Sequence, residues 1–379
     1  MSAPAELDDL ADRIAALPLI DHHVHGAFTT EIDRAAFEMH LNEGSPEPAP
    51  AGTTQFDSPV GFAIRRWCAP LLDLPPHTPA DRYWARRTEL GTAEVTARFL
   101  RAAGVSDWLV DTGYAADAVL DPAALAAASG GAVREIVRIE AVAEQVAARA
   151  PAGRDYADTF GAQLAQATRG AAGVKSVLAY RAGFDIDLTR PDPRQVAVAA
   201  ARWIGAGGGR LTDPVLLRHG LHTALRCGLP LQLHTGLGDR DLDLHRANPV
   251  LLLDLLRLPE VAAVPVMLLH CYPYHREAAY LAQAFPNVHM DVGLALNHVG
   301  ARSRAVLAES FELAPFAKLL YSSDAWGPAE LHHLGAVLWR RAITATFGEW
   351  VRDGDWSAAD AQRVATMVGR GNAERVYRL

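Results

Sequence analysis

The chain is poor in cysteine, in uninterrupted apolar sequence and in surplus positive charge. Three cysteines, Cys68, Cys227 and Cys271, are scattered over 379 residues with no CxxC pair. An odd, widely spaced set of this kind excludes a disulfide scaffold and a cysteine-held zinc, and it suits a reducing compartment. The most apolar stretch, 249–269, is broken by Asp254, Arg257 and Glu260, so nothing reads as a bilayer span. The opening MSAPAELDDLADRIAAL is acidic where a secretory leader is basic, and a cytosolic (cytoplasmic) location is expected. Against 44 acidic side chains stand 36 basic ones, a net charge of −8. That balance argues against non-specific partners such as nucleic acid or an anionic membrane. The remainder is ordinary globular composition, expected to form one domain over 1–379, a size that α/β barrels reach.

Leu7, Leu10, Ile14 and Leu17 recur at helical spacing, and Pro18 ends that helix. Short apolar runs then return eight times, at 18–23, 107–113, 134–140, 173–180, 229–234, 264–270, 287–293 and 318–324. Each reads as a buried strand, and alanine- and leucine-rich sequence of helical period lies between most of them. Strands alternating with helices predict a parallel sheet, and eight strands match a (β/α)8 TIM-like barrel. Strands one and two are separated by 27–106, far longer than an ordinary βα connection. Its proline-rich piece, 41–59, precedes helix-like sequence. This helical insertion reads as a lid over the barrel mouth, with a decoration on the barrel side as the alternative.

Several strand tips carry imidazole or carboxylate. Strand one ends Asp21-His22-His23-Val24-His25, and alternation places His23 and His25 on one face, where they can chelate one cation. Strands five and six end in His234 and His270, and strand eight ends in Asp324. Barrel closure gathers these tips at one mouth. Three or four imidazoles with one carboxylate make a site suited to Zn²⁺, with Mn²⁺ or Fe²⁺ as further candidates. Arg138, Glu140, Asp239, Tyr272, His275 and Asp291 also fall near predicted tips and are candidates for substrate contact. His332 and His333 begin a helix and read as solvated or capping. His219, His222, His245, His289 and His298 read as structural, and Trp67, Trp84 and Trp108 as core.

The motifs LPLIDHHVH, GVKSVLAYRAGF, LQLHTGLGD, LLHCYPYHREAAYLAQAFPNVHMDVG, LLYSSDAWG and GNAERVYRL resemble the amidohydrolase superfamily, more narrowly its amidohydrolase-2 branch. They are most similar to the barrel domain fused to glutamine-synthetase-like domains in some fungal and plant proteins. The resemblance runs from Leu17 to Leu379. Since 379 residues leave no room for a synthetase domain, no ligase activity is expected.

The resemblance implies a divalent metal centre of one or two ions. His23, His25 and Asp324 would bind the more buried ion, and His234 would be a further ligand. His270 would bind a second ion or contact the attacking water, and Asp324 would carry the proton. In two-ion members a strand-four lysine bridges the ions. Lys175 lies on strand four but near its start, so two readings stay open: a metal ligand, or a buried lysine paired with Glu140. Arg181, nearer the tip, would grip a substrate carboxylate.

The leading function is metal-dependent hydrolysis of an amide or related C–N bond in a small, carboxylate-bearing molecule, γ-glutamyl-like by analogy. Decarboxylation or isomerisation on the same barrel is the alternative, and a non-catalytic metal or ligand binder is the third. A homo-oligomer is the general expectation for such an enzyme.

Overall fold

Seven of the apolar runs form strands in the computed structural model, which describes residues 3–379. They are β1 (Leu19–Val24), β2 (Val105–Asp111), β3 (Ala132–Arg138), β4 (Gly173–Ser176), β5 (Leu231–His234), β6 (Val266–Leu269) and β7 (Val288–Met290). All pair in parallel with their sequence neighbours, in the order β1 to β7. Helices follow the strands and cover the sheet, so most strands are buried along both faces.

The eighth expected strand does not form a ladder. Instead, 319–325 takes hydrogen bonds from both edges of the curled sheet. The Leu320 amide donates to Met290 O at 3.1 Å, and the His22 amide to Tyr321 O at 3.2 Å. The Asp324 amide then donates to His23 O at 3.1 Å, and His25 to Ala325 O at 2.9 Å. At its end Asp324 turns into the left-handed region at φ 49°. The segment still holds Asp324 beside the end of β1.

Inside the sheet Ile20, Leu109, Ile136, Met267, Leu269 and Leu320 pack with Val376 and Tyr377 of the last helix, Asn372–Tyr377. A larger apolar layer joins the outer faces of the strands to the surrounding helices. Trp108 is fully buried in that layer, while Trp67 and Trp84 pack against it. Between β1 and β2 lie the helices Arg34–Met39, Pro59–Trp67, Ala80–Leu90 and Thr92–Ala102. They are packed sequence: Phe37, Phe56 and Tyr83 are fully buried.

Two of the shifts in strand boundary bear on the site. The run 134–140 leaves the strand at Arg138, so Glu140 opens a helix, Ile139–Ala148. The run 173–180 leaves it at Ser176, and Leu178–Arg181 is a helical turn. Arg181 therefore does not share a strand face with Lys175. No helix among the described residues is long and apolar enough to cross a membrane.

Candidate metal centre

The strand ends converge. His23, His270 and Asp324 each offer one ligand atom within 4.8 Å of the others, and His23, His25 and Asp111 form a second such group. His23 Nδ1 donates to Gln232 Oε1 at 2.9 Å, and His25 Nδ1 donates to the Asp111 carbonyl at 3.0 Å. Each acceptor is an oxygen, so each ring carries its proton on Nδ1 and turns the Nε2 lone pair inward. Gln232 is itself oriented, because its Nε2 donates to His22 O at 2.7 Å and to the Tyr377 hydroxyl at 2.8 Å.

Inward of these groups, lone pairs face lone pairs. His23 Nε2 stands 3.0 Å from Asp324 Oδ1, and His25 Nε2 stands 3.7 Å from the same oxygen. His270 Nε2 is 3.4 Å from Asp324 Oδ2. Burial holds His23, His25 and His270 below the usual histidine range, His25 at about 3. Burial also lifts Asp324, but only to about 6. The rings are therefore neutral imidazoles facing the Asp324 carboxyl group. Both nitrogens of His270, His234 Nε2 and Asp324 Oδ1 are buried without a hydrogen-bond partner among the described residues. Buried polar atoms left unpartnered are costly, and a cation would join those that carry lone pairs. The donor set of imidazoles and carboxylate therefore fits a borderline divalent ion.

Lys175 reaches this cluster: its Nζ donates to His23 Nε2 at 2.7 Å and lies 3.6 Å from Asp111 Oδ2. The suggested pairing with Glu140 does not occur. Glu140 instead accepts from Ser176 Oγ at 2.6 Å and from the Val177 amide at 3.1 Å. Burial depresses the Lys175 ammonium below its usual range. Although burial pushes Asp111 the other way, Arg138 and Lys175 hold it well below the ordinary carboxylate range. Both His270 (φ 68°) and Asp324 (φ 49°) adopt left-handed backbone, a conformation that clusters at functional sites.

A cavity of about 520 Å³ opens over the cluster and is lined by His25, Lys175, His234 and Asp324. Asp239 and Arg181 also line it. Arg181 Nη1 donates to Glu144 Oε1 at 2.8 Å and to Leu211 O. Tyr272 and His275 lie elsewhere. Their rings stack at 5.8 Å, and His275, which meets Glu309 at 2.7 Å, lines a separate surface cleft. The cis Tyr272–Pro273 bond falls in that turn. Asp291 is a buried hub, accepting from the His270 and Gly293 amides and from Ser322, and pairing with His22 at 3.0 Å. His332 and His333 are buried, not solvated, and His332 Nε2 donates to His25 O at 3.0 Å.

Other residues of the cluster and of the cavity were not anticipated. Asp111 ends β2, and the same strand-tip rule that picks out His234 would have found it. Tyr114, Tyr180 and Trp326 form aromatic walls, with the Tyr180 ring 4.5 Å from His234. His298, read as structural, lines the cavity, as does Glu43 of the long β1–β2 connection. Partial burial, with Asp324 and Asp239 nearby, raises Glu43 above the usual carboxylate range, and burial lowers His298 to about 4. Nothing local in the sequence marks either residue, since both reach the cavity by tertiary packing.

Seven parallel strands, with a cluster of metal-type donors at their ends, define the metal-dependent barrel enzymes as a class. A family profile described as Amidohydrolase matches residues 136–379, more than half of the chain. The chain belongs to the amidohydrolase family and is an enzyme of that superfamily. Protein fluG of Emericella nidulans is 33% identical over 287 residues, 66% of this chain. Those residues are 33% of fluG, so the chain spans about a third of the length of that relative. A Lactobacillus casei protein assigned as a metal-dependent hydrolase superposes with a TM-score of 0.86 at 27% identity, over 97% of each chain. The uronate isomerase of Bacillus halodurans gives 0.65 at 15% identity, over 100% of this chain and 97% of its own, a likeness of fold.

The orienting role of Gln232 has a measurable consequence. Gln232→Leu is expected to free the His23 ring and weaken metal retention by roughly 10- to 100-fold. Competition against a chelator reads this directly, and unchanged retention would remove Gln232 from the site.

Proposed function

We propose that the protein hydrolyses an amide or related C–N bond of a small, carboxylate-bearing molecule, using a divalent ion held by His23, His25, His234, His270 and Asp324. The observation that carries this reading is the buried set of unpartnered donors on His234, His270 and Asp324. Lys175 belongs to the same set by position, its amine resting on His23 Nε2. Zinc is the ion this donor chemistry favours, with one or two per chain. When bound, such an ion polarises a carbonyl and acidifies water.

The chain's own groups divide the remaining work. Asp324 offers a carboxylate oxygen at the cavity floor to take a proton from water and return it to the leaving nitrogen. Its backbone amide, bonded to His23 O, keeps that oxygen beside the imidazoles. Tyr114, Tyr180 and Trp326 give the cavity apolar walls that orient a substrate and exclude water. In this reading the 27–106 insertion covers the mouth, because Met39, His40, Asn42, Glu43, Ser45 and Pro46 all line the cavity. The fold shared with uronate isomerases supports a second reading, isomerisation of a sugar acid, by fold analogy alone.

The test combines elemental analysis with turnover in heavy-oxygen water. Purified protein is expected to hold one or two equivalents of transition metal and to place one heavy oxygen in the acid product of a cleaved N-acyl amino acid. Full activity without metal would overturn the metal centre. Turnover of a uronate with no heavy oxygen incorporated would replace hydrolysis by isomerisation.

A further inference from the structure

The geometry points to Arg138 as the anchor for a substrate carboxylate, with Tyr114 as the flat surface beneath it. Arg138 ends β3 and lines the cavity, and its side chain is only 10% exposed. Two of its three nitrogens are committed to one oxygen: Nε and Nη2 donate to Asp111 Oδ2 at 3.1 and 2.7 Å. The third, Nη1, has no hydrogen-bond partner among the described residues. Asp111 is locked in turn, its Oδ1 accepting from the Gly113 amide at 2.9 Å. The guanidinium lies over the Tyr114 ring, 5.4 Å from its centre.

This arrangement is built for position. A Cβ at Gly113 would meet Arg138 Cβ at 2.3 Å, so glycine there is what lets the arginine occupy this place. Asp111 sets the direction of the fork and Tyr114 its plane, which leaves one charged N–H edge for an incoming anion. Guanidinium groups held in this way favour carboxylates, whose lone pairs match the donor geometry. The anchor also sits close to the metal centre, because Asp111 Oδ2 is 3.6 Å from Lys175 Nζ, which itself donates to His23. Arg181, the arginine favoured by its place in the sequence, lines the same cavity with its Nη1 turned to Glu144 and to the Leu211 carbonyl. The ligand class is a small molecule with two ends, one facing the cation and one an anionic carboxylate.

The assignment rests on the metal-centre reading for the cation end, but binding tests it without turnover. Metal-loaded, full-length protein is titrated calorimetrically with glutarate and adipate, each against the monocarboxylate of the same chain length. Wild type is expected to prefer the dicarboxylate by roughly tenfold. Arg138→Gln, which can still donate to Asp111, is expected to abolish that preference with metal content unchanged. Arg181→Met is expected to keep it. Should Arg138→Gln not fold, Arg138→Lys answers the same question, since its single ammonium is drawn to Asp111 and the preference falls. Preference retained in the Arg138 variant, or absent from wild type, overturns the anchor. Selective binding with no hydrolysis of N-acyl amino acids would refute the hydrolase and leave the anchor standing; hydrolysis without selective binding would do the reverse.

Discussion

Asp324→Asn is expected to lower kcat by about 10²- to 10⁴-fold while the far-ultraviolet circular dichroism stays that of wild type. The two parts of that expectation have separate causes. Asparagine keeps the shape of the side chain and tolerates the left-handed backbone found here at φ 49°. Its amide N–H can still donate to His23 O, so the segment that carries it stays beside β1. What is lost is the charge and the ability to take a proton from water and give it up again. Steady-state kinetics alongside elemental analysis separates the two losses. A variant with normal metal content and a wild-type rate would take the proton-transfer role away from Asp324.

The second large effect is on stability. Glu330, fully buried in the helix Ala329–Arg352, meets Arg87 of the insertion, its Oε1 accepting from Arg87 Nε at 2.7 Å and from the Tyr83 hydroxyl at 3.2 Å. The guanidinium also lies 4.9 Å from the Phe37 ring and 5.4 Å from that of Trp84. Glu330→Ala would strand a cation with only 3% of its side chain exposed. The cost of leaving such a charge unpaired is about 3–5 kcal/mol, readable from urea unfolding. Replacing both partners, Glu330→Leu with Arg87→Met, is expected to recover most of that loss, since the desolvation penalty goes with the pair. A single variant within about 0.5 kcal/mol of wild type would show that this pair contributes little. Phe37 belongs to the helix Arg34–Met39, which leads into the cavity-lining residues His40, Asn42 and Glu43. Loosening this anchor is therefore expected to raise KM as well.

The readable and unreadable parts of the site divide along a physical line. His23, His25, His234, His270 and Asp324 stand where apolar runs give way to polar residues, and those runs are local features of the sequence. Tyr272 and His275 follow His270 closely, yet a turn carries them to another face. Arg181 reaches the cavity wall not from a strand but from the helical turn Leu178–Arg181, with its Nη1 on Glu144. Glu43 and His298 enter the cavity from elements whose docking no local pattern encodes. Asp111 is the exception, a strand-end carboxylate within the run DWLVDTG that was there to be read.

By itself the sequence determined the alternation of strands and helices and which polar groups stand at the strand ends. Both follow from periodicities of two and 3.6 residues that operate over short spans. Only the tertiary structure decided which partner each charge meets: Lys175 with His23 rather than Glu140, Arg138 with Asp111, and Arg87 with Glu330. It also decided that 319–325 bridges the sheet edges without forming an eighth ladder. The reason is desolvation. A buried charge must find its counterpart among groups far away in the chain, and packing, not spacing, brings that counterpart within reach.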